Sequence, residues 1–119
     1  MSSIYNSLLL KIINEIIPAT YLSTKKGNKI FGAAILKKSD LSTIVIGTNN
    51  EIANPLYHGE ISTIFNYYDT EYSKKIKTSE CIFLSSHEPC SLCLSAISWA
   101  GFDNFYYFFP YNETKNNFN

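Results

Sequence analysis

Two short motifs do most to limit how this chain can fold: His58-Gly59-Glu60 and, after a strand-sized interval, Pro89-Cys90-Ser91-Leu92-Cys93. Cys90 and Cys93 lie three apart at the start of an expected helix, so both sulfurs project from one face of its first turn toward a shared point. Pro89 suits the position just before them, where a missing N–H costs nothing. The unpaired N–H groups of that helix end favour anions, so both cysteines are expected as thiolates, the form that binds metal. Adding the imidazole of His58 makes a tetrahedral zinc site with three protein ligands and an open fourth position. An open position separates a catalytic zinc from a structural one. His58 and Glu60 differ by two residues, which on a helix points them in nearly opposite directions. Glu60 is therefore expected as a general base and not as a ligand. Such a base is needed, because two thiolates leave zinc a weaker acidifier of water than three histidines do.

The rest of the chain reads as the frame for that convergence. Leu8, Leu9, Ile12, Ile13, Ile16 and Ile17 recur at helical spacing, which predicts an amphipathic helix from Ile4 to Ile17, closed by Pro18. Lys11, Asn14 and Glu15 interrupt it and it is too short to span a bilayer, so neither a signal nor a membrane anchor is expected. Phe31 to Lys37 and Thr43 to Gly47 read as strands, joined in a hairpin around Lys38-Ser39-Asp40. The loop Asn49 to Tyr57 delivers His58 to a helix ending near Tyr68. Cys81 to Ser85 reads as a buried strand, Cys90 to Ala100 as the second metal-bearing helix, and Asn104 to Phe109 as a further strand. This alternation predicts an α/β fold: a three-layer α/β/α arrangement, with a mixed central sheet and helices on both faces, in a single domain over residues 1–119. Both metal-bearing helix starts then follow loops at one edge of the sheet.

Most of these residues also have a plainer reading. Two cysteines three apart are, taken alone, more often buried apolar residues than ligands. Glu60 alone reads as a solvated acid at a helix start. Their combination with His58 and Pro89 decides for metal. Asn49 and Asn50 suit a turn as well as a substrate contact. Cys81 reads as a core thiol. His87, on the loop entering the second helix, would fill the open coordination position if it were a ligand, so it is read as pocket-lining or as a subunit contact. Trp99 and Phe102 suit either base stacking or the core, and the core is preferred.

Charge bears on the partner. Ten acids balance ten basic residues, all of them lysine, and no arginine occurs. Gripping folded RNA takes phosphate-neutralising charge, usually from arginine, so a tRNA partner is disfavoured. Lys25, Lys26 and Lys29, with Lys74, Lys75 and Lys77, read as solvated loops and helix ends. Three cysteines, two of them assigned to metal, make no disulfide framework, so a reducing, cytoplasmic compartment is expected.

His-x-Glu with a downstream Pro-Cys-x-x-Cys resembles the zinc-dependent cytidine/deoxycytidylate deaminase superfamily. The likeness extends further. His58-Gly59-Glu60-Ile61-Ser62-Thr63 looks like the corresponding stretch of fungal cytosine deaminase, and Ala96-Ile97-Ser98-Trp99-Ala100 looks like the helix after the cysteines in bacterial guanine deaminases. Gly47-Thr48-Asn49-Asn50-Glu51 is similar to the Gly-x-Asn-x-Glu of cytidine deaminases, where the asparagine holds the ring and the glutamate a ribose hydroxyl. The resemblance runs from the first helix to about Pro110.

It implies a Zn2+ cofactor held by His58, Cys90 and Cys93, and hydrolytic release of ammonia from a cytosine- or guanine-type base or nucleoside. Glu60 would carry protons from water to a ring nitrogen and to the departing amine. Substrate contacts are implied for Asn49, holding the ring, and for the backbone beside Glu88, accepting a hydrogen bond from the substrate amine. A tRNA-specific adenosine deaminase and a catalytically degenerate zinc scaffold are the rival readings. Free-standing relatives usually continue past the fourth strand with further helices and often a strand. Here the sequence ends soon after that strand, in the polar stretch Tyr111 to Asn119, which is expected to mean either that the aromatic run Phe105 to Phe109 lacks that cover and pairs with another subunit, or that the chain is a piece of a longer protein. A homodimer or higher homo-oligomer is therefore expected.

Overall fold

The computed structural model describes residues 3–110; the expected polar tail, 111–119, lies outside the described residues. The chain opens with α1 (Ser3–Lys11), a π-helical turn (Ile12–Ile16) and α2 (Ile17–Thr24), which follow one another without a break. Pro18 does not end this helix as the sequence suggested. A proline inside an α-helix clashes with the carbonyl four residues back and donates nothing to it. The π turn absorbs the conflict: the Ile17 N–H reaches back five residues to the Ile12 carbonyl, and Pro18 falls in the first turn of a fresh α segment, where its missing N–H is tolerated.

Four strands form one sheet: β1 (Gly32–Lys37), β2 (Thr43–Thr48), β3 (Cys81–His87) and β4 (Tyr106–Phe109), in the order β2-β1-β3-β4. β1 is antiparallel to both β2 and β3, and β4 is parallel to β3, so the sheet is mixed. Since both neighbours oppose β1, β2 and β3 point the same way and end at the same edge. Alternation along β1 sends Ala34 and Leu36 to one face and Ala33 and Ile35 to the other. Leu8, Ile12 and Ile16 of the N-terminal helix bury the first face, together with Ile82 and Leu84. The second face is buried by α3 (Gly59–Tyr68) and α4 (Ser91–Trp99), where Tyr67, Ile97 and Phe102 meet Ala33, Ile35, Cys81 and Phe83. Helices thus cover both faces, in three layers.

Several local expectations shift. β3 runs on to His87, so His87 ends a strand instead of lying on a loop; it is buried between Phe31 and Phe109, at centroid distances of 4.7 and 4.8 Å. Phe102 is core, whereas Trp99 is 90% exposed. β4 begins at Tyr106, because Asn104 makes the preceding step of the ladder with its side chain: its Oδ1 accepts from the Phe83 N–H at 3.1 Å and its Nδ2 donates to the Cys81 carbonyl at 2.9 Å. Tyr107 and Phe108 stand exposed on this outer strand, as does Phe105 just before it. Among the described residues no helix is long and apolar enough to cross a membrane.

Candidate metal centre

Loops leaving the shared edge of β2 and β3 deliver the two helix starts. His58 is the N-cap of α3 and Cys90 the N-cap of α4, each with extended backbone and neither side chain bonded to its own helix start. Cys93 follows one turn into α4 and is 1% exposed, while Cys90 is open to solvent. Gly59 explains how α3 comes so close: a Cβ there would stand 2.8 Å from the Phe31 carbonyl oxygen, so only glycine lets the helix start press against β1.

The donors converge. His58 Nδ1 lies 3.5 Å from Cys90 Sγ and 3.5 Å from Cys93 Sγ, and the three donor atoms fall within 4.8 Å of one another. A tetrahedral ion with Zn–S near 2.3 Å and Zn–N near 2.05 Å holds its sulfur and nitrogen about 3.6 Å apart. The spacing and the donor set therefore both fit zinc. No other such cluster of three or more His, Cys, Asp or Glu occurs among the described residues.

Glu60, two residues after His58, is 6% exposed and points to the same place: the Cys93 thiol donates to its Oε1 at 3.5 Å. Burial holds the Glu60 carboxyl above the ordinary carboxylate range, only partly offset by its hydrogen bonds to a backbone N–H and to Cys93. Burial also pushes the Cys93 thiol up, reinforced by the Glu60 and Cys90 charges. Without a metal, burial thus works against the thiolate that the helix end favours. A cation reverses that balance, since a coordinating thiol is deprotonated outright.

Behind His58 stands a group of polar side chains. Glu51 Oε1 is 3.6 Å from His58 Nε2, and Glu51 Oε2 is 3.1 Å from Lys29 Nζ. Asn49 is 0% exposed: its Nδ2 donates to Glu51 Oε1 at 3.0 Å, and its Oδ1 accepts from the N–H groups of Glu51 and Lys29 at 3.2 and 3.3 Å. Sequence reasoning took Glu51 as a ribose contact by resemblance and gave Lys29 no role. Their meeting at His58 depends on the path of the 49–57 loop, which local pattern does not encode. Glu88 is exposed, and its N–H donates to the Phe109 carbonyl at 2.8 Å, which fixes the chain entering α4. A cleft of about 570 Å³ lies on the outer side of the loop, lined by Ser23, Asn49, Tyr57 and Phe65 among others. Its lining includes none of His58, Glu60, Cys90 or Cys93, although Asn49 and Tyr57 border both it and the metal-ligand region.

Comparison with known proteins adds the lineage. The pattern of the cytidine and deoxycytidylate deaminase zinc-binding region matches residues 8–109. Among solved structures, a guanine deaminase from Bacillus subtilis is similar at 27% identity and TM-score 0.70, over 84% of this chain and 63% of that one. A guanine deaminase from Nitrosomonas europaea is similar at 17% identity and TM-score 0.70, over 85% and 58%. A structure from work on A-to-I editing by tRNA:A34 deaminases is similar at 21% identity and TM-score 0.68, over 80% and 72%. The last two likenesses are of fold. No curated protein matches the sequence. The chain spans about three fifths of the length of the two guanine deaminases. With the motif matched across most of its length and three donors in place to hold a metal ion, this chain belongs to the cytidine and deoxycytidylate deaminase zinc-binding family.

Proposed function

We propose that this protein is a zinc-dependent hydrolytic deaminase that releases ammonia from a cytosine- or guanine-type base or nucleoside. The observation that carries the reading is Glu60: a buried carboxyl with a raised pKa, beside but outside the donor trio, is what a proton shuttle needs. Zinc held by His58, Cys90 and Cys93 supplies Lewis-acid activation of water. Glu60 would take one proton from the attacking water and deliver it to a ring nitrogen, then take the second from the hydroxyl now bonded to the ring carbon and pass it to the departing amine, leaving the carbonyl product and ammonia. Its burial raises its affinity for a proton, which suits a carboxylate that has to take one up before passing it on. The backbone beside Glu88 is assigned to the substrate amine and Asn49 to the ring, with one Asn49 N–H already committed to Glu51. Free bases are the first choice, supported by the 27% identity to a guanine deaminase.

Zinc-loaded protein incubated with a panel of bases, nucleosides and nucleotides should release ammonia from at least one of them. Silence across the panel, with zinc bound, favours a non-catalytic zinc scaffold. A tRNA adenosine substrate is the second reading, favoured only by likeness of fold; the absence of arginine weighs against it. We assign the protein to the cytoplasm and to a homo-oligomer, the latter supported by the exposed Trp99, Phe105, Tyr107 and Phe108, and light scattering tests it.

A further inference from the structure

We infer that Glu51 is the residue that positions His58, fixing which of its ring nitrogens faces the metal. The inference rests on the metal centre proposed above and goes beyond it. A histidine ligand needs its second nitrogen engaged: a carboxylate there selects the tautomer, holds the ring plane and raises the basicity of the coordinating nitrogen. Here His58 Nδ1 faces both sulfurs and Nε2 faces Glu51 Oε1 at 3.6 Å, within ion-pair reach and just beyond hydrogen-bond length. Glu51 is itself held from two sides. Lys29 pairs with Oε2, Asn49 donates to Oε1, and the Glu51 N–H returns to Asn49 Oδ1. Asn49 is anchored in turn, since its N–H donates to the Phe31 carbonyl at 2.8 Å and its carbonyl accepts from Ser23 Oγ at 3.0 Å. The carboxylate is thus aimed by the sheet and by the N-terminal helix. Each Glu51 oxygen has one protein partner, Asn49 on Oε1 and Lys29 on Oε2, and keeps further acceptor capacity, so this positioning role stands beside the ribose contact that the Gly-x-Asn-x-Glu likeness implies.

The test is zinc affinity, measured by competition with a chromogenic chelator on the full chain, for wild type, Glu51→Gln and Glu51→Ala, beside the thermal midpoint of each metal-free protein. Glu51→Ala should weaken zinc by about 10–100-fold, with the metal-free midpoint unchanged. Glu51→Gln, which keeps an acceptor oxygen, should recover most of the affinity. In nitrogen-15 spectra of the zinc-loaded wild type, His58 should show a protected Nε2 proton that the alanine variant lacks. Affinity for Glu51→Ala within about twofold of wild type overturns the inference, as does a loss that only follows a fall in metal-free stability. If the alanine variant does not fold, the wild-type spectrum decides, and an unprotected Nε2 proton overturns it. A wild type that holds no zinc removes the metal centre and this inference together. Zinc without ammonia release removes only the deaminase reading, because none of these measurements uses substrate.

Discussion

α3 and α4 each place a donor at the N-cap and bury a second reactive group within the first turn, yet the two starts are held in different ways. α3 is clamped: Gly59 presses on β1, Thr63 Oγ1 donates to the Gly59 carbonyl at 2.7 Å, Asn66 Nδ2 donates to the Ile46 carbonyl at 3.1 Å, and Glu51 with Lys29 backs His58. α4 rests on the core through Ile97 and Cys93, and its N-cap Cys90 is exposed. The α3 start is therefore held by more contacts with its surroundings than the α4 start, although both already present their donors to one point.

The sharpest break of this comparison comes from the two buried groups. Glu60→Gln should retain zinc and lose ammonia release by about 10²–10⁴-fold, whereas Cys93→Ala should lose both; metal content and turnover on the same samples separate the two. Next come the two N1 positions. Gly59→Ala, forcing a methyl against the Phe31 carbonyl, should cost about 1–3 kcal/mol in chemical denaturation. Ser91→Ala, on the exposed start of α4, should stay within about 0.5 kcal/mol. Equal effects would erase the distinction between a clamped and a leaning helix.

His87, at the end of β3 on the α4 side, has no counterpart on the α3 side. Burial lowers its pKa from 6.5 to about 4. The unfolded chain therefore binds the proton more readily, and stability present above pH 6.5 is lost as pH falls toward 4. Between pH 7 and 4.5 the wild type should lose roughly 1–2 kcal/mol more than His87→Asn, read from denaturation midpoints at each pH. Parallel loss in both would assign the acid sensitivity elsewhere. The smallest effect belongs to Lys29. Its ammonium is largely solvated, so Lys29→Met should weaken zinc by less than about fivefold. A larger loss would mean that the cation, and not Asn49, is what aims Glu51.

The metal ligands, the succession of helices and strands along the chain, and the separation of Glu60 from the donor set are legible because each is local: a three-residue cysteine spacing, a His-x-Glu at a helix start, alternating strands. Pro18 misled because a π turn is a response to strain with no spacing signal of its own. The start of β4 was read early because the Asn104 side chain copies a backbone bond, which composition does not reveal. The burial of Cys93, which raises its pKa, could not be read either, since only its helix-end position is visible in sequence. Glu51 and Lys29 meet His58 only once the 49–57 loop has folded, with the Asn50 N–H donating to the Tyr57 carbonyl at 2.8 Å and Asn54 Oδ1 accepting from the Leu56 N–H at 2.9 Å.

Zinc content per chain, determined on protein purified without chelator for wild type and for Cys90→Ala, is the most direct test of the whole account. About one ion per wild-type chain, and a small fraction of that in Cys90→Ala, is the predicted result. A wild type without zinc, or a Cys90→Ala protein that holds as much as the wild type, would contradict it.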